Sequence, residues 1–166
     1  MKKICLIAIV GLALTAFAPA IARAQGGLKQ GPDVTRDPEM EKDSLHNLEA
    51  ARLYFTLRKA YVASLQRCEE IIAGNPTFSR IDEVLYIAGK STLYLSEGKG
   101  KQKSSLYKRA GADRQSPNLT PEEFRSEARD YLSHLVNEYP DSKFREEALA
   151  DLTSLGGPKP PKDGKQ

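Results

Sequence analysis

The chain has 166 residues, 25 of them Lys or Arg and 22 Asp or Glu. Three of the cations, Lys2, Lys3 and Arg23, fall in the first 24 residues, which hold no acid, so the remainder is balanced at 22 against 22. That balance removes the general electrostatic case for nucleic acid or a membrane surface, and Cys5 in the leader leaves Cys68 without a partner for an internal disulfide.

Met1-Lys2-Lys3, the apolar run Ile4 to Phe17 and the small residues Ala22 and Ala24 around Arg23 have the order of a secretory signal peptide cleaved after Ala24. The alternative is an uncleaved membrane helix, but the apolar stretch before Pro19 is shorter than the roughly 18 residues a span needs. Gln25 stands where a lipoprotein would carry its modified Cys. A periplasmic, non-lipidated product is therefore expected. Residues 25–43 are rich in Gly, Pro and charge and are expected to form a disordered lead-in.

Five helical segments follow, in a domain over 44–155. The absence of Trp and the abundance of Leu, Ala, Glu, Lys and Arg favour helix over strand. The first segment runs from Ser44 to Arg58 after a cap at Asp43 or Ser44, with Leu45, Leu48, Ala51 and Phe55 inward. The second covers Tyr61 to Ala73, with Tyr61, Leu65, Cys68, Ile71 and Ile72 at steps of one, three or four. Pro76 ends it by disfavouring helical geometry at Asn75. The third, Ile81 to Ser96, turns Val84, Leu85, Ala88, Leu93 and Leu95 inward.

The insertion from Gly98 to Leu119 carries Lys99, Lys101, Lys103, Lys108, Arg109 and Arg114 against Asp113 alone. Two readings stay open for it. One is a flexible polar loop; the other is an arm seeking an anionic partner through Lys99, Lys101, Lys103, Lys108 and Arg109, with Leu106 and Tyr107 as anchors. Gly98-Lys99-Gly100-Lys101 lacks the spacing and preceding strand of a phosphate loop.

The fourth helix opens on Thr120 as cap, Pro121 at the first position and Glu123 completing a capping box. Its inward stripe is Phe124, Ala128, Tyr131, Leu132 and Leu135, and it closes at Tyr139-Pro140. The fifth, Ser142 to Leu155, places Phe144, Ala148, Leu149 and Leu152 inward. Gly156-Gly157-Pro158 stops it, and residues 156–166 are expected to be a disordered tail.

Self-comparison adds a repeat. Ile71-Ile72 before Asn75-Pro76 is echoed by Leu135-Val136 before Tyr139-Pro140, and Ser79-Arg80-Ile81 by Ser142-Lys143-Phe144. A new amphipathic helix follows each proline, which is the layout of an all-α helical-hairpin solenoid. With Pro76 closing the first repeat, the chain resembles tetratricopeptide repeats through Leu48, Ala51, Phe55, Tyr61, Cys68 and Ile71, then Leu85, Ala88, Gly89, Ala128, Leu132 and Leu135. Arg52 stands where a small residue is usual, and the prolines are 64 residues apart because of the insertion.

The run Ala128-Arg129 through Tyr131-Leu132, Leu135-Val136 and Tyr139-Pro140-Asp141-Ser142 to Phe144 and Ala148 is similar to the BamD-type outer-membrane assembly proteins. The resemblance implies a scaffold with no cofactor, binding protein or peptide segments of the cell envelope in a groove lined by first-helix residues. Projected here, those positions are His46, Glu49, Leu53 and Thr56 on the first helix and Glu83, Tyr86 and Lys90 on the third. The runner-up is a cell-wall or secretion-system adaptor that uses the basic insertion. An enzyme is the third reading. His46 and His134 lack ligand-spaced neighbours for a metal, and Cys68 sits in an apolar stripe as a core residue. The acidic pairs suit solvated helix faces, so neither catalytic nor metal residues are expected.

Overall fold

The computed structural model describes residues 36–109 and 116–161. The expected leader (1–24), residues 25–35 of the lead-in, 110–115 of the insertion and 162–166 of the tail lie outside them. The described chain is all-α. Its helices are α1 (Pro38–Arg52), continued by a π-helical turn (Leu53–Arg58), α2 (Tyr61–Gly74), α3 (Ile81–Ser96), α4 (Pro121–Glu138) and α5 (Arg145–Ser154), with a 3-10 turn at Ser104–Leu106. No strand occurs among the described residues, and none of their helices is long and apolar enough to cross a membrane.

Helix α1 starts six residues before the expected Ser44. Asp37 accepts a hydrogen bond from the Glu39 amide at 2.9 Å; Pro38 takes the first helical position, and Glu39 and Glu41 offset the dipole. Neither Asp43 nor Ser44 is the cap, and Pro38–Asp43 is helix rather than lead-in. The inward face at this end of α1 holds Ser44 and not Leu45. Ser44 is buried and donates to the Met40 carbonyl, whereas Leu45 is 38% exposed. The Thr120 capping box closes in both directions, with Glu123 accepting from the Thr120 amide.

Successive helices run antiparallel. Asn75 at the end of α2 donates to Ser44 near the start of α1, and the Tyr61 ring at the start of α2 lies 4.9 Å from Tyr94 near the end of α3. Gly89 and Leu132 meet where α3 crosses α4, and Arg125 of α4 donates to the carbonyl of Ser154 at the end of α5. Helix α3 is the centre, with eleven of its sixteen residues buried. The expected inward residues of α2, α3 and α4 are buried in the core, apart from Ile72 and Tyr131, which are half-buried.

The two proline junctions dock alike. The Ser79 amide donates to Glu41 of α1 at 3.2 Å; the Ser142 hydroxyl donates to Asp82 of α3 at 2.7 Å and accepts from the Phe144 amide. Each junction is thus tied to an acid on the preceding odd-numbered helix. Contacts from α3 to the junction ahead of α5 and then to α5 itself step forward together, Asp82 with Ser142, Tyr86 with Glu147 and Lys90 with Asp151, so these helices are parallel.

Candidate functional site

The projected groove residues divide into two groups. His46, Glu49, Leu53 and Thr56 are exposed on α1 and its π turn; Thr56 donates only to the Arg52 carbonyl one turn back. The π turn has a structural cause. Phe55 packs between Tyr61 and Tyr94, with ring centroids at 5.6 and 5.9 Å. Lys59 then adopts a left-handed conformation (φ 50°), and the Ala60 amide reaches back to the Tyr54 carbonyl. With Phe55 turned inward, Leu53 is 41% and Leu57 74% exposed. With Leu45, eight residues before Leu53, they give α1 and its π turn three exposed leucines, with Glu49 exposed between the first two.

Glu83, Tyr86 and Lys90 are not free in this way. Glu83 is buried and accepts from Arg52 Nε and Nη2 at 2.5 and 2.7 Å and from Arg80 at 3.0 Å. Burial acts to raise its pKa, but the Arg52 fork and the charges of Arg52 and Arg80 carry it below the ordinary carboxylate value. Tyr86 donates to Glu147 and stacks on Phe144 at 4.7 Å; burial and that carboxylate push its phenol up. Lys90 pairs with Asp151 at 2.7 Å. The α3 residues therefore join α1 and α5 to the central helix, and only the α1 group faces solvent. Arg52, the unusual residue in the repeat pattern, is the α1 end of the first of these joints.

The described part of the basic insertion, 98–109 and 116–119, is strapped to the helices. Tyr107 is 1% exposed, packs on Phe124 at 5.6 Å and donates to Glu69 of α2, to which Tyr131 also donates. Burial raises the Glu69 pKa against these two phenols, which favour its charged form. Arg109 pairs with Glu127 of α4, Lys108 donates to the Ser116 carbonyl, and Lys99 pairs with Glu97 while lying 5.2 Å over Tyr94. Gln102 accepts from the Ala63 amide, and the Lys101 amide donates to the Lys59 carbonyl. Lys101 and Lys103 remain, exposed and without an ion pair among the described residues. Of the two expected anchors, Tyr107 holds and Leu106 is 61% exposed.

Cys68 is fully buried, and burial pushes its thiol up, the wrong direction for a nucleophile. Among the described residues no three His, Cys, Asp or Glu side chains form a group able to hold a metal. The tail also departs from expectation: Gly156 to Lys159 is docked along α4 through Arg129, Ser133 and Asn137. Isolated Gly, Pro and Lys carry no sign of that contact; only the polar face of α4 at spacing three and four hints at it.

No protein-family model matches the chain, and neither the curated proteins nor the solved structures contain a match.

Proposed function

We propose that this chain is a non-catalytic periplasmic scaffold of tetratricopeptide-repeat type, akin to the BamD-type outer-membrane assembly factors, that grips a protein segment on α1. The leader-like first 24 residues and the twin proline junctions support this reading. The observation that carries it is the solvent-facing stripe of Leu45, Leu53 and Leu57, interleaved with His46, Glu49 and Thr56. A helix of a small domain gains nothing from exposing Leu57 to water, and apolar side chains gathered on one face suit an amphipathic partner. The π turn that carries Leu53 and Leu57 is a geometry often found at functional sites.

Affinity capture from membrane extract with the processed chain tests the proposal. Enrichment of a β-barrel assembly component, lost in Leu53→Ser/Leu57→Ser, is the expected result. Unchanged capture by that folded variant refutes the α1 site. A second reading, an adaptor at the cell wall or a secretion system, is favoured by the exposed pair Lys101 and Lys103. Sedimentation with cell-wall sacculi that Lys101→Ser/Lys103→Ser abolishes would select it over the first.

A further inference from the structure

Pro158-Lys159-Pro160-Pro161 follows the last helix, and its three prolines constrain the backbone before it meets α4. Each ring fixes φ, and each proline pushes the residue ahead of it towards extended geometry, so Lys159 and Pro160 favour a polyproline-type path. Within the tetrapeptide Lys159 alone has an amide hydrogen.

Every polar part of that lysine is read by one face of α4. Its amide donates to Ser133 Oγ at 2.8 Å, and its carbonyl accepts from Asn137 Nδ2 at 2.9 Å. Its ammonium reaches Asp130 at 2.5 Å and Ser126 at 3.4 Å. Positions 130, 133 and 137 follow the three- and four-residue steps of a single helix face. Upstream, the Arg129 fork holds the carbonyls of Gly157 and Gly156 at 2.6 and 3.0 Å. Ser133 is 3% exposed, so its hydroxyl is spent on this contact rather than on water. Beside the two last prolines lies a cavity of about 560 Å³, walled by Tyr131, His134 and Glu138.

Reading both backbone groups and the charge of one lysine between prolines is how a groove selects a peptide sequence. Gly156 and Gly157 both have positive φ, and the Gly157 amide donates to the Leu152 carbonyl, so a left-handed cap ends α5 and turns the tail back onto α4.

We infer that the outer face of α4 is a recognition site for an extended Pro-Lys-Pro segment of another protein, occupied in this structure by the chain's own tail as a tethered competitor. The face is separate from the α1 stripe and does not depend on the scaffold reading. A short tether gives the tail a high effective concentration, so a partner segment binds well only when the tail is weakened or displaced.

The test uses the full chain and fluorescein-labelled Gly-Pro-Lys-Pro-Pro, followed by fluorescence anisotropy. Wild type binds weakly. Lys159→Ala removes the lysine anchor from the competitor and raises peptide affinity about tenfold, the equivalent of about 1.4 kcal/mol. Adding Asp130→Asn to that variant returns binding to the wild-type level, and Gly-Pro-Ala-Pro-Pro binds neither form. Asp130 is half-exposed, so its amide analogue leaves the helix intact; circular dichroism checks this. Equal peptide binding by wild type and Lys159→Ala overturns the proposal. Equal binding of the Lys and Ala peptides overturns the lysine readout. Concentration-dependent dimers of wild type that Lys159→Ala abolishes would assign the face to the tail of a second copy and overturn a foreign partner.

Discussion

Arg52 and Glu83 show how a single pair decides the position of a helix. The guanidinium fork meets the carboxylate with two hydrogen bonds, and the carboxylate is buried while the arginine is partly open. Removing the arginine leaves a buried charge with only Arg80 beside it, so Arg52→Ala is expected to cost about 2 kcal/mol in a urea titration. Buried Glu83 and half-buried Glu69 also titrate in opposite senses. Glu83 lies below its unfolded value. Its contribution is complete above that value and disappears as pH falls through the folded one, so Glu83→Gln flattens the acid limb of the stability curve. Glu69 is raised. The folded state binds its proton longer than the unfolded chain, and stability declines as pH rises from the unfolded to the folded value. Glu69→Gln removes that decline; denaturation midpoints across the acid range distinguish the two variants.

Among the elements, α3 and the insertion carry the tightest constraints. A Cβ on Gly89 would stand 2.6 Å from Leu132 Cδ2 and Cγ, so the leucine must move for the helices to stay in register. Gly89→Ala is expected to destabilise by about 1–3 kcal/mol through overpacking despite its better helix propensity. Leu132→Ala, at the other side of the contact, should cost about 2–5 kcal/mol through the cavity it leaves. In the strap, Tyr107→Phe keeps the ring on Phe124 but abandons Glu69 to Tyr131, whereas Tyr107→Ala also releases the packing. Thermal melts should rank them wild type, Phe, Ala, and proteolysis after Lys101 or Lys103 should speed up only in the Ala variant if the strap depends on the ring. The α1 start lies six residues ahead of Ser44: Asp37-Pro38-Glu39 has the same grammar as Thr120-Pro121-Glu122, yet the charged residues after it hid the signal.

For the molecule as a whole, the number of helices, the inward stripes of α2, α3 and α4, and the proline junctions were legible from residue order. These features depend on contacts a few residues apart, and the three- and four-residue period records them. The exposure of Leu45, the burial of Glu83 and Tyr107, and the docking of Lys159 depend on partners 22 to 38 residues away or on the phase of one helix against another. Charge and proline content mark such residues as polar or unhelical; they cannot specify which acid, serine or asparagine the fold brings within reach. Helicity was therefore decided locally. Tertiary packing alone decided which polar residues join helices together, which stripe stays open to solvent and where the tail comes to rest.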